Sequence, residues 1–259
     1  MAPLKSVAEL CESLRSASGA PRLIWYGPGS ERVELSGRVL ENWVAKTSNM
    51  LVEELDAVAG TVVAVGMPPH WKSLVWALAS WQVGAVTVLR DETVRNDGTA
   101  PGDRTAPDDG APVDVRLTMD AAPEAPRVGR EGDREDELLV LVAPGALDMR
   151  WPGTLPSGAV DYAATVRAFG DVYLEDPADS GAELIRAGGK SFTFSDLLDG
   201  ADQPAEGIWL VPAALPLLTV LPAAVRIWAA GGTVVLVHPE VEVTDRLMEG
   251  ERVTARLAV

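Results

Sequence analysis

Thr61-Val-Val-Ala-Val-Gly66, Pro68-Pro69, an apolar series at Leu74, Val75, Leu78 and Trp81, Gly84, and then Ala85-Val-Thr-Val-Leu89 decide the fold. The first and last segments are continuous apolar runs, the pattern of strands buried on both faces of a parallel sheet. The series between them has helical spacing. The two prolines predict a helix start at 68–69, and Gly84 a stop. Strand, helix and strand together predict a βαβ unit with a right-handed crossover.

A second unit is legible downstream. Gly207-Ile-Trp-Leu-Val211 predicts a strand, and Val220 to Ala230 a helix with Pro222 in its first turn. Gly231-Gly232 closes that helix before the strand Thr233-Val-Val-Leu-Val237. Upstream, Leu4, Val7, Cys11 and Leu14 form an apolar helical stripe. Arg22 to Tyr26 and Arg32 to Leu35 read as strands around the turn at 27–30. Ser36 is an N-cap, with Leu35 and Leu40 as a hydrophobic staple. The helix it opens shows Leu40, Trp43, Val44, Thr47, Leu51, Leu55 and Val58 on one face.

Further strands are expected at Val113 to Thr118, Leu138 to Val142, Val172 to Leu174 and Ser191 to Phe194, the last followed by Ser195 as an N-cap. Trp151 to Pro156 is irregular, and Tyr162 to Arg167 and Val243 to Met248 are helical. Residues 91–112, acidic and rich in Pro and Gly, read as an exposed, flexible loop. The whole of 1–259 is therefore expected to be one α/β domain, with a mostly parallel sheet flanked by helices.

Charge narrows the function. Lys+Arg number 22 against 38 Asp+Glu, a formal net charge of −16. Such a chain repels a phosphate backbone and an anionic membrane surface, so neither nucleic acid nor membrane is expected as a partner. No run of about 18 apolar residues is present. The one cysteine, Cys11, excludes an internal disulfide and fits a reducing, cytoplasmic location. Its place on the helical stripe makes it a packing residue.

No motif supplies chemistry. Gly189-Lys190-Ser191 ends like a phosphate-binding loop, but the required first glycine falls at Leu184, and a hairpin turn fits better. Gly66-Met67-Pro68-Pro69 offers too few backbone donors for a phosphate. There is no Gly-x-Ser-x-Gly elbow. The two histidines, His70 at a helix start and His238 at a strand end, have no orienting partner nearby in sequence. Asp108-Asp109 and the run from Asp133 to Glu137 read as solvated charge. One cysteine and two distant histidines do not make a zinc site. The tryptophans, Trp43, Trp76, Trp81, Trp209 and Trp228 among them, read as core. Catalytic residues: none; metal ligands: none; cofactor: none, with cofactor-binding residues unknown.

Several segments nevertheless resemble the N-terminal domain of the adenylate-forming (AMP-binding) enzymes, which include acyl-CoA synthetases. Val33-Glu-Leu-Ser-Gly-Arg-Val-Leu-Glu-Asn-Trp43 is similar to an early strand-to-helix motif of that family. Gly60 to Gly66 and Leu78-Ala-Ser-Trp-Gln-Val-Gly84-Ala-Val-Thr-Val88 resemble the elements that follow it. Val211-Pro-Ala-Ala-Leu-Pro-Leu217, Ala230 to Leu236 and Glu251-Arg-Val-Thr254 resemble a later block. The likeness covers 20–90 and 205–255 and rests on shared order and spacing.

The departures concern the chemistry. The family cradles ATP phosphates in a Thr/Ser/Gly-rich loop, expected here near Asp176 to Lys190, where the sequence reads DPADSGAELIRAGGK. Leu218 stands near the place of a family histidine. The adenine, ribose and catalytic-lysine motifs are expected beyond residue 259. The chain thus resembles a small family of truncated, degenerate relatives. That implies a non-catalytic homologue acting as a binding or interaction module, with a protein partner or a second copy as its companion and a small-molecule ligand unknown. The alternative is a partial acyl- or nucleotide-binding, ligase-like enzyme that works with a separate chain.

Overall fold

The computed structural model describes residues 4–17, 19–89, 112–120, 137–174, 178–200 and 206–257. The acidic stretch at 91–112, apart from Pro112, lies outside the described residues, as do Asp108-Asp109 and the run from Asp133 to Asp136.

The chain opens with α1 (Val7–Ser16), capped by Ser6, whose Oγ accepts the Glu9 amide. Val7, Leu10, Cys11 and Leu14 are its buried face. The Cys11 thiol is fully packed, and burial pushes its pKa up to about 12. Next come β1 (Pro21–Gly27) and β2 (Glu31–Ser36), an antiparallel hairpin. Ser36 caps α2 (Gly37–Glu53) through the Val39 amide, with Leu35 and Leu40 both buried. That helix ends before Leu55 and Val58. Leu55 is still buried, but Val58 is 66% exposed in the turn beyond.

The segment 61–89 folds as β3 (Val62–Gly66), α3 (Trp71–Val83) and β4 (Val86–Leu89), with β3 and β4 parallel. The prolines precede the helix rather than opening it. His70 is the N-cap, because its ring Nδ1 accepts the Lys72 amide and Ser73 Oγ accepts the His70 amide. Gly84 ends α3 with φ +83, a left-handed conformation that a side chain would strain. All residues of α3 from Trp71 to Gln82 are buried, as expected of a helix that is apolar nearly all round.

The remaining elements are β5 (Val115–Thr118), β6 (Leu138–Leu141), β7 (Val160–Asp161), α4 (Tyr162–Thr165), β8 (Ile185–Ala187), β9 (Lys190–Phe192), α5 (Phe194–Leu198), β10 (Ile208–Pro212), α6 (Leu217–Ala229), β11 (Thr233–Val237), α7 (Asp245–Gly250) and β12 (Ala255–Arg256). Three expectations need correction. Residues 172–174 form no strand. Thr193, not Ser195, caps α5, since its Oγ1 faces the Asp196 amide and Asp196 Oδ2 accepts the Thr193 amide in return. Pro222 is the sixth residue of α6 rather than part of its first turn, because the helix starts at Leu217.

The strands form two sheets, in the orders β12-β10-β11-β1-β2 and β7-β6-β5-β3-β4-β8-β9. All pairings are parallel except β1 with β2 and β8 with β9. The architecture is the expected α/β fold with mostly parallel sheets flanked by helices. The two βαβ units, however, lie in different sheets. One apolar core joins them, with Trp25, Trp71, Trp76, Trp81 and Trp228 at its centre.

Candidate functional site

In parallel sheets the loops leaving the carboxyl ends of the strands carry ligand sites, since that edge collects helix starts and free amides. Here these loops come from both sheets. His238 follows β11, His70 follows β3, and the segment 142–159 follows β6.

The two histidines, distant in sequence, meet across Trp25 at the end of β1. The His70 ring lies 4.4 Å from the indole and the His238 ring 5.9 Å from it, both edge-on. Each ring is tied locally. His70 Nδ1 accepts the Lys72 amide at 3.1 Å, and His238 Nδ1 accepts the Glu240 amide at 3.2 Å. Burial, with Lys72 and His238 nearby, pushes His70 down to about 3. It is therefore a neutral cap near neutral pH, with its N–H on Nε2, and not an imidazolium.

Lys72, in the first turn of α3, is only 3% exposed. Its Nζ donates to the carbonyls of Ala143 and Gly145, each at 2.7 Å. Desolvation lowers its pKa to about 8, against the opposing pull of Asp148 and Glu31. One buried amine thus fixes the start of the 142–159 loop.

Carboxylates of the same chain hold the loop's amides. Glu31 Oε1 accepts the Ala146 amide at 3.0 Å, and Asp148 Oδ2 accepts the Gly145 amide at 3.0 Å. Asp161 Oδ2 accepts the Trp151 amide at 2.8 Å, and its Oδ1 accepts the Ala164 amide at 3.2 Å, capping α4. Arg167 Nη2 reaches the Asp148 carbonyl at 3.4 Å. The strand–loop–helix run from β6 to α4 is the arrangement that could cradle an anion. Four of its amides, those of Gly145, Ala146, Trp151 and Ala164, already point at internal negative charge.

The stretch where a phosphate loop was expected is built differently. From Ala178 to Lys190 it leads into the antiparallel β8–β9 hairpin at the sheet edge, with Gly188 and Gly189 at φ +54 and +69 in the turn. Asp176 and Pro177 lie outside the described residues. Asp179 Oδ1 accepts the Gly181 amide, and Glu183 pairs with Arg186 and Ser191. No helix opens on Lys190. Gly189-Lys190-Ser191 is thus a hairpin turn, as its sequence predicts. Leu218 lies in the first turn of α6 and is 37% exposed.

Among the described residues no three His, Cys, Asp or Glu side chains gather as a metal site. No helix there is long and apolar enough to cross a membrane. Sequence reasoning missed Glu31, Lys72, Asp148 and Asp161. The available signal was Ala143-Pro-Gly-Ala146, directly after the strongest strand of its region and fifteen residues before Asp161, which caps a helix.

No protein-family profile matches the chain. A curated protein of Mycobacterium tuberculosis (strain H37Rv), described as a TIGR03089 family protein, is 30% identical over 261 residues, or 96% of each chain. Among solved structures, a Brucella canis acyl-CoA synthetase superposes with a TM-score of 0.62 at 17% identity, over 95% of this chain and 46% of that one. The N-terminal domain of FACL13 from Mycobacterium tuberculosis gives 0.61 at 15% identity, over 98% and 62%. An unliganded O-succinylbenzoate coenzyme A synthetase from Bacillus subtilis gives 0.58 at 13% identity, over 95% and 47%. These likenesses establish a shared fold. The chain spans about half the length of the two synthetases.

Proposed function

The chain belongs to the TIGR03089 family, and from that premise we propose that it is a non-catalytic relative of adenylate-forming enzymes, acting as a binding or interaction module. One observation carries this reading. The amides of Gly145, Ala146 and Trp151, the donors this loop could offer an anion, are each taken by a carboxylate of the chain itself. A phosphate brought there meets Asp148 and Glu31 as like charges, the reverse of the preorganised positive field that phosphoryl transfer demands.

Two further features support the module. Leu147 and Met149, on the outer side of the same loop, are 74% and 65% exposed, an apolar pair that a protein partner or a second copy would cover. The net charge of −16 keeps the chain from nucleic acids and anionic membranes, in line with a single-domain cytoplasmic protein. ATP–pyrophosphate exchange with the isolated chain and a panel of fatty and aromatic acids should stay at the background without protein. Exchange above that background would defeat the reading.

A second reading, a ligase-like half that acts with a separate chain, draws on one fact: the coverage of 46% and 47% of the synthetases. It expects exchange to appear only when a partner protein is added.

A further inference from the structure

The three carboxylates on the 142–159 loop are not equivalent. Asp148 and Asp161 belong to the loop or to the element that closes it. Glu31 comes from the start of β2 in the other sheet, 115 positions from the amide it holds. It is half-buried, and its seat is made by Gly27. A Cβ placed on Gly27 would stand 2.5 Å from Glu31 Oε2 and 2.6 Å from Trp25 Nε1. The carboxylate, at the end of a flexible side chain, would have to move, while the packed indole, 1% exposed, has little room to yield. The backbone there is ordinary extended chain at φ −109, so what fixes glycine is the space taken by the Glu31 carboxylate and the Trp25 indole.

Lys72 supplies the other half of the arrangement. Its buried ammonium sits beneath the same loop, bound to the carbonyls of Ala143 and Gly145, and feels both Glu31 and Asp148. Taking Glu31 away leaves a buried cation beside a freed amide, which is the electrostatics of an anion site.

We propose that Glu31 is a latch, an intrachain anion that holds the Ala146 amide and thereby shuts the β6–β7 loop against phosphoryl anions. This rests on the reading above and adds to it the residue that enforces the closure. The latch links the two sheets, so its release frees the loop without touching the core of either.

The test uses the full chain as wild type, Glu31→Ala and Gly27→Ala. The first variant removes the carboxylate. The second keeps every charge and displaces the carboxylate with a methyl group that also presses on the Trp25 indole, so Glu31→Ala is the variant that isolates the latch. Amide hydrogen exchange over 143–151 should be about ten- to a hundredfold faster in both variants, the factor for losing one hydrogen bond to a charged group. Melting temperature, followed from zero to about 10 mM inorganic phosphate at constant ionic strength, should rise saturably in both variants and stay flat in the wild type. Pyrophosphate should act in the same way. Unchanged exchange, or variants as indifferent to phosphate as the wild type, would overturn the latch. So would failure of both variants to fold, because a latch on a surface loop is dispensable to the core. Phosphate binding by the wild type would instead strike at the non-catalytic reading itself, so the two failures are distinct.

Discussion

His70 sits in a demanding environment for a titratable side chain. It is 4% exposed, packed on Trp25, and its Nδ1 holds the first turn of α3. Its pKa is pushed down from 6.5 to about 3. A base whose folded pKa is lowered takes up its proton more readily unfolded. Its contribution to stability is therefore complete above pH 6.5 and is lost as pH falls toward 3. The slope is about 1.4 kcal/mol per pH unit. Chemical denaturation of wild type and His70→Asn between about pH 6.5 and 5, above most carboxylate titrations, checks this. Asparagine retains a capping oxygen without titrating, so the variant should lose that part of the slope. Equal slopes would contradict the account. The position of His70 at a helix start was legible in the sequence. Its partners were not, because the pairing of β1 with β11 brings His238 to Trp25 and the packing of α3 against β1 brings His70 to the same indole.

At the scale of elements, a buried polar chain joins α3, β4 and β8. Trp81 Nε1 donates to Thr87 Oγ1 at 2.9 Å, and Thr87 Oγ1 donates to the Leu184 carbonyl at 2.8 Å. Thr87→Val keeps the shape and strands the indole N–H, which should cost about 1–3 kcal/mol in urea unfolding. Adding Trp81→Phe to it should cost less than the sum of the two single changes, since the orphaned donor goes with it. Strict additivity would show that the bond contributes nothing. The apolar runs of β3, β4, β10 and β11 were readable because a strand buried on both faces needs them. Helix starts were less so. Pro68-Pro69 and Ser195 are both good initiators, yet the capping goes to His70 and Thr193, whose side chains meet amides two and three residues on. The two-residue strands β7 and β12 carry too little pattern to be seen.

At the scale of the molecule, the sequence displayed parallel strands but not their distribution over two sheets. Strand order depends on which crossovers pack on which face, and the apolar pattern is the same in either sheet. The family resemblance points to a phosphate loop at 176–190, whereas the structure gathers Lys72, Glu31, Asp148 and Asp161 on the loop after β6. The loop that matters has no run of hydroxyls and glycines, and its decisive contact, Glu31 with Ala146, spans both sheets.

Melting temperature of the unmodified chain with millimolar MgATP, and separately AMP, tests the central claim most directly. With the loop's amides committed to internal carboxylates, neither nucleotide should move the transition. A saturable rise of several degrees with either one would mean that the site still grips a phosphate, and would contradict the account.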